Sequence, residues 1–130
     1  MGMDQTITFA AVPLWTDVRD LLARSGLVVQ MRMIDGQLAF PDEEPPQTWR
    51  ELRVAVAEGG MVTVRREAEG VRCVTWGNAD AAARHAWNAL AWALAEAGSG
   101  QVQTPKGVMD AATYRRWAEL PDGLRSSGDG

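Results

Sequence analysis

Few side chains in this sequence have the type and spacing that catalysis requires. His85 is the only histidine, which excludes a metal site built from several histidines. Glu96 falls on the same side of a predicted helix, but helix geometry places it about 16 Å further along the axis, too far for an acid–base pair. Glycine-rich phosphate loops, closely spaced carboxylate pairs and Cys-x-x-Cys ligands are missing from the sequence. We therefore predict a protein that is not an enzyme and that uses no cofactor or metal.

The one cysteine, Cys73, cannot form an internal disulfide. It alternates with its neighbours in a strand-like segment, which places it on the same face as Val71. We predict a buried and unreactive thiol, because a nucleophilic cysteine needs solvent access and a stabilised thiolate.

Arginines recur at the outward positions of the same strand-like segments. If the alternating valines and leucines face the core, the opposite face of the sheet carries Arg53, Arg65, Arg72 and Trp76. Guanidinium groups pair with carboxylates and stack on aromatic rings, so these residues are candidate contacts for an acidic protein partner or an anionic ligand. The alternative is a solvated face on which the arginines pair with Glu51, Glu67 and Glu69.

The long predicted helix offers a second candidate surface. Its core stripe is predicted to be Ala83, Trp87, Leu90, Ala91 and Leu94. Trp92 and His85 recur on the other side, where a tryptophan suggests a partner-binding or self-association surface, since exposed indoles dominate binding hot spots. The alternative is that the segment from Gln101 to Trp117 folds back over Trp92 and makes it part of the core.

Composition bounds the class of protein. The chain has 130 residues, 46% of them hydrophobic, and a formal net charge of −4, which argues against broad binding to nucleic acid. It contains no apolar run as long as a signal peptide core or a membrane span, so we expect a cytoplasmic protein without a membrane partner. Arginine outnumbers lysine twelve to one, which favours a GC-rich bacterial source. We predict one domain over residues 1–120 and a frayed tail over 121–130.

The elements that must position these residues follow from hydrophobic periodicity. Alternation predicts a first strand over Ile7–Val12, an amphipathic helix after Pro13, and a hairpin turning at Asp35-Gly36. Between Glu51 and Trp76 three further strands form an antiparallel meander, and it leads into the long helix. The order β-α-β-β-β-β-β-α, followed by a short helix, predicts a two-layer α+β fold with a mostly antiparallel sheet and two main helices on one face.

Two resemblances bear on function. The element order is similar to that of helix-grip proteins, which implies an alternative function as a small-molecule binder with an apolar pocket lined by Trp87, Leu90, Phe9 and Met31. The run from Trp87 to Ala97, followed by Gly98, Gly100 and the segment 101–103, resembles the end of small bacterial immunity-type proteins, although Thr104-Pro105 stands where an aspartate is expected. This second resemblance implies a non-catalytic protein that binds and blocks another protein.

Overall fold

The computed structural model of the protein describes residues 2–56, 61–76, 81–118 and 120. These residues form eight strands and three helices. In chain order they are β1 (Gly2–Thr8), α1 (Trp15–Arg24), β2 (Val29–Ile34), β3 (Gln37–Leu38), β4 (Glu51–Val56), β5 (Met61–Glu67), β6 (Gly70–Trp76), α2 (Ala81–Gly98), β7 (Gln101–Thr104), β8 (Gly107–Asp110) and α3 (Ala111–Trp117). The predicted tail over 121–130 lies outside the described residues.

The strands form one sheet in the order β3-β2-β4-β5-β6-β1-β7-β8, and every pairing between neighbours is antiparallel. The sheet is not closed into a barrel, and the prediction of an α+β fold is confirmed. The sequence analysis did not anticipate the β7–β8 hairpin, whose turn Thr104 stabilises by bonding to both Lys106 and Gly107.

The position of the first strand was predicted wrongly. The structure has this strand at Gly2–Thr8, where it pairs with β6 along its whole length, and not at Ile7–Val12. The inward-facing residue near its middle is Gln5, which is buried. A polar residue at an inward position interrupts the apolar alternation, so periodicity alone placed the strand too late in the sequence.

The predicted hairpin between β2 and β3 is confirmed. Asp35 and Gly36 both have positive φ, 51° and 84°, as a type I′ turn requires. The Asp35 carboxylate also accepts hydrogen bonds from the backbone N–H groups of Arg50 and Glu51, at 2.7 and 2.9 Å. These bonds lower the pKa of Asp35 below its usual value, because they favour the ionised form. One turn residue therefore also holds the start of β4.

The core lies between one face of the sheet and the helices. The predicted core positions on β4, β5 and β6 are buried, and Leu90 and Leu94 of α2 pack with them. Trp87 is only half-buried, but its indole N–H donates to the Cys73 carbonyl, at 2.9 Å. From Ala89 to Ala95 every residue of α2 is buried, so this part of the helix has no solvent face. The sheet lies beneath it, and α1 and α3 contact it as well.

Replacing Leu90 by Ala tests this packing. We expect L90A to lower the free energy of unfolding by about 2–5 kcal/mol, because it removes a fully buried side chain and leaves a cavity. Urea denaturation would measure the change. The control is E96A on the exposed side of the same helix, which should stay within about 0.5 kcal/mol of wild type. An equally small effect of L90A would contradict the assigned core.

The charge on Asp35 should make stability depend on pH. Because the folded-state pKa is lowered, the carboxylate contributes stability above the unfolded value of about 3.9, and this contribution is lost as pH falls through the folded pKa. The conservative variant D35N keeps a side chain that tolerates positive φ. We expect it to be less stable than wild type at neutral pH, with the difference vanishing in acid. Urea titrations at several pH values would measure the difference in unfolding free energy between D35N and wild type. A difference that stays constant from neutral pH into acid would contradict the prediction.

Candidate functional site

The face of the sheet opposite the helices carries the predicted arginines. In the strand register, Arg65 of β5 lies between Glu51 of β4 and Arg72 of β6, and Arg53 follows two residues after Glu51. These side chains point away from the buried positions that alternate with them. The prediction that Arg53, Arg65 and Arg72 share this face is confirmed. The side chain of Trp76 lies outside the described part of the chain.

The arginines on this face do not form a concentrated positive patch. Arg65 pairs with Glu51 at 2.9 Å, and Arg72 pairs with Glu67 at 3.2 Å and approaches Asp4 at 4.0 Å. The Arg53 Nε lies 3.8 Å from the Glu51 carboxylate. Each positive charge is thus offset within the face, and such exposed pairs contribute little to stability. The charge pattern that would select an acidic partner is therefore largely cancelled.

One end of this face is apolar. Leu38 of β3, Met33 of β2 and Arg53 of β4 occupy neighbouring positions in one cross-strand row. Leu38 is 89% exposed and Phe40, two residues later, is 76% exposed. We call Met33, Leu38 and Phe40 the apolar end. No local pattern in the sequence marks it, because β3 is only two residues long, too short for alternation to show which side chains face outward.

Trp92 does not belong to an exposed surface, and its assignment as a partner-binding residue was wrong. It is only 4% exposed, and the guanidinium of Arg115 on α3 lies 5.3 Å from the centre of its ring. The alternative interpretation, in which the C-terminal segment folds back over it, is confirmed. The Asp110 side chain caps α3 by accepting from the Thr113 N–H at 2.7 Å, which starts the helix at the position needed to cover Trp92.

His85 is separated from the arginines by the thickness of the sheet. It is half-buried near the start of α2, in the helical layer. The candidate residues therefore divide into an arginine-bearing sheet face and a histidine in the helical layer on the other side. The structure does not bring them together into one surface.

Cys73 is fully buried, as predicted, and burial raises the pKa of its thiol strongly because the thiolate would be poorly solvated. Within the described residues, no group of three or more histidine, cysteine, aspartate or glutamate side chains is arranged to hold a metal ion. Among the same residues, no helix is both long enough and apolar enough to cross a membrane.

A buried polar cluster connects β1, α2 and α3. The Tyr114 hydroxyl donates to the side-chain Oε1 of Gln5 at 2.6 Å, and Gln5 Nε2 donates to Asn88 Oδ1 at 2.9 Å. Burial raises the pKa of Tyr114, so its hydroxyl keeps the proton it donates. Sequence reasoning could not find this cluster, because its members are up to 109 residues apart and no local pattern relates them.

A pocket of about 580 Å³ opens beside this cluster. Its lining residues are Asp4, Gln5, Arg84, Trp87, Asn88, Pro105, Trp117 and Ala118. Of the residues predicted to line a ligand pocket, only Trp87 takes part, because Leu90 and Met31 are fully buried in the core and Phe9 lies at a different pocket. The pocket thus lies at the side of the α2 helix and not beneath it.

In comparisons with known proteins, no protein-family model, no curated protein and no solved structure matched this chain.

Thiol reactivity tests the assignment of Cys73. We expect the native protein to react with an aromatic disulfide reagent only as fast as it opens, because the thiol is fully buried, and to react rapidly in denaturant. A C73S/M61C variant provides the control, since Met61 on the neighbouring strand is 44% exposed and a cysteine there should react at once. Absorbance of the released thiol measures both rates. Equally fast reaction of native wild type and the control would contradict the assignment.

Proposed function

We propose that the protein is a non-enzymatic protein-binding module that contacts its partner through the uncovered face of the sheet. The observation that carries the proposal is the apolar end, where Leu38 and Phe40 are the two most exposed large hydrophobic side chains among the described residues. Leu38 shares a cross-strand row with Met33 and Arg53, and Phe40 follows Leu38 by two residues. Contiguous exposed apolar side chains rimmed by polar groups are typical of interaction sites.

Exposure of these two side chains to water is unfavourable. Burying a leucine or a phenylalanine side chain contributes about 1.5–3 kcal/mol of free energy relative to leaving it exposed. A partner that covers them recovers this free energy, and the neighbouring Arg53 provides a planar group that packs on aromatic rings. The ion pairs across the remaining rows would then form a polar rim, which sets orientation more than affinity.

The burial of Cys73 supports the non-enzymatic part of the proposal, because a nucleophilic thiol needs solvent access and a stabilised thiolate. The resemblance of the long helix to immunity-type proteins implies the same kind of function, a protein that binds another protein and blocks it. On this proposal the partner is a macromolecule with a complementary apolar patch.

Polar substitution of the apolar end tests the proposal. We expect L38S/F40S to keep the thermal stability of wild type, because both side chains are exposed, and to weaken partner binding by at least about tenfold. Affinity capture from the source organism, with quantitative mass spectrometry, would identify proteins that wild type retains and the variant loses. Interferometry with the purified candidate would then give the dissociation constants.

The matched control is L14S. Leu14 is 56% exposed at the N-cap of α1, on the helical side of the molecule, so the substitution removes a comparable apolar side chain elsewhere. The proposal is upheld if one protein is retained by wild type and L14S but lost with L38S/F40S. It is overturned if the same proteins are captured by all three. If sedimentation instead shows that wild type self-associates and that L38S/F40S does not, the partner is a second copy of this chain.

A further inference from the structure

The first strand loses one of its two neighbours halfway along its length. On one side β6 pairs with β1 from Gly2 to Thr8. On the other side β7 pairs only with Thr6, Ile7 and Thr8, before its chain turns at Pro105. The half of β1 from Gly2 to Gln5 therefore has no strand beside it on that side within the described residues.

The direction of the backbone groups on this half-strand follows from its neighbours. The Phe9 N–H donates to Glu69 before β6, and the Ile7 carbonyl is directed at Gly70, the first residue of β6. The Thr8 carbonyl is directed at Gly100, just before β7. Odd-numbered residues thus bond towards β6 and even-numbered residues towards β7. Gly2 and Asp4 therefore direct their N–H and C=O groups into the gap beyond the end of β7.

The pocket of about 580 Å³ lies alongside this gap. Asp4 and Gln5 form one side, Pro105 closes the end at which β7 turns away, and Trp87 and Trp117 supply apolar surface from the two helices. Trp117 is 45% exposed and its ring centre lies 5.9 Å from that of Tyr114. The buried cluster of Gln5, Asn88 and Tyr114 fixes the base of the pocket, which favours binding without reorganisation.

We propose that this gap binds an extended peptide segment, which adds a short strand to β1 at Gly2–Gln5 and inserts an apolar side chain into the pocket lined by Trp87 and Trp117. A strand edge offers N–H and C=O groups at the spacing of a peptide backbone, and this repeat selects an extended chain over a small molecule. The adjacent pocket adds selectivity for one side chain. The site shares no residue with the apolar end, so it stands apart from the proposed sheet-face function.

Backbone methylation distinguishes strand addition from simple side-chain capture. Linear peptides would be selected on the full-length protein from a phage-displayed library, synthesised with a fluorophore, and titrated by fluorescence anisotropy. Each peptide amide would then be N-methylated in turn. In strand addition every second amide faces the edge, so we expect methylation to weaken binding by at least about tenfold at alternate positions and to be tolerated at the positions between them.

Two protein variants complete the test, with thermal denaturation as a check on folding. D4P removes an N–H that faces the gap, whereas D4N changes the same side chain and keeps that N–H, so we expect D4P to bind the peptides at least about tenfold more weakly than D4N. W117A should weaken binding of the same peptides, and L38S/F40S should leave their binding unchanged. The proposal is overturned if the library yields no peptide, if methylation shows no alternation, or if the selected peptides bind W117A and D4P as well as wild type.

Discussion

The burial of α2 on all sides is the constraint on which the rest of the structure depends. Every residue of this helix from Ala89 to Ala95 is buried, so the helix requires neighbours in every direction. The sheet supplies one neighbour, and α1 and α3 supply the others. The small alanine side chains allow these elements to approach closely, and Trp92 fills the larger space beside α3. A helix of this composition is stable only as the centre of a layer.

Because α1, α2 and α3 all lie on one face of the sheet, the described residues leave the other face uncovered. That face is largely polar, with arginines and carboxylates offsetting each other along the cross-strand rows. Such a polar surface remains hydrated at little cost in free energy. Leu38 and Phe40 at its end are apolar, so their exposure to water is unfavourable. We therefore propose the apolar end, and not the neutralised rows, as the partner-binding surface.

The buried polar cluster explains why β1 and α3 lie together, although they are far apart in the sequence. Gln5 comes from the first strand and Tyr114 from the last helix, and Asn88 lies between them on α2. Buried hydrogen-bonding groups are costly when unpaired, so the three side chains fix the approach of α3 to β1. This arrangement also shapes the pocket between Trp87 of α2 and Trp117 of α3, since the position of Trp117 depends on where α3 is held.

The sequence by itself determined the elements whose signals are local. Alternation identified β4, β5 and β6, and the dipeptide Asp35-Gly36 identified one hairpin. Parity correctly placed Arg53, Arg65 and Arg72 together and Cys73 inside. These results hold because a strand alternates its side chains whatever it packs against.

Only the tertiary structure decided the rest. Whether Trp92 faced solvent depended on where α3 packed, and the true extent of β1 depended on Gln5 finding partners far away in the sequence. Whether the arginine face was neutral depended on which carboxylates the strand pairing brought close to the arginines. In each case the free energy comes from contacts between distant segments, which no local pattern of residues encodes.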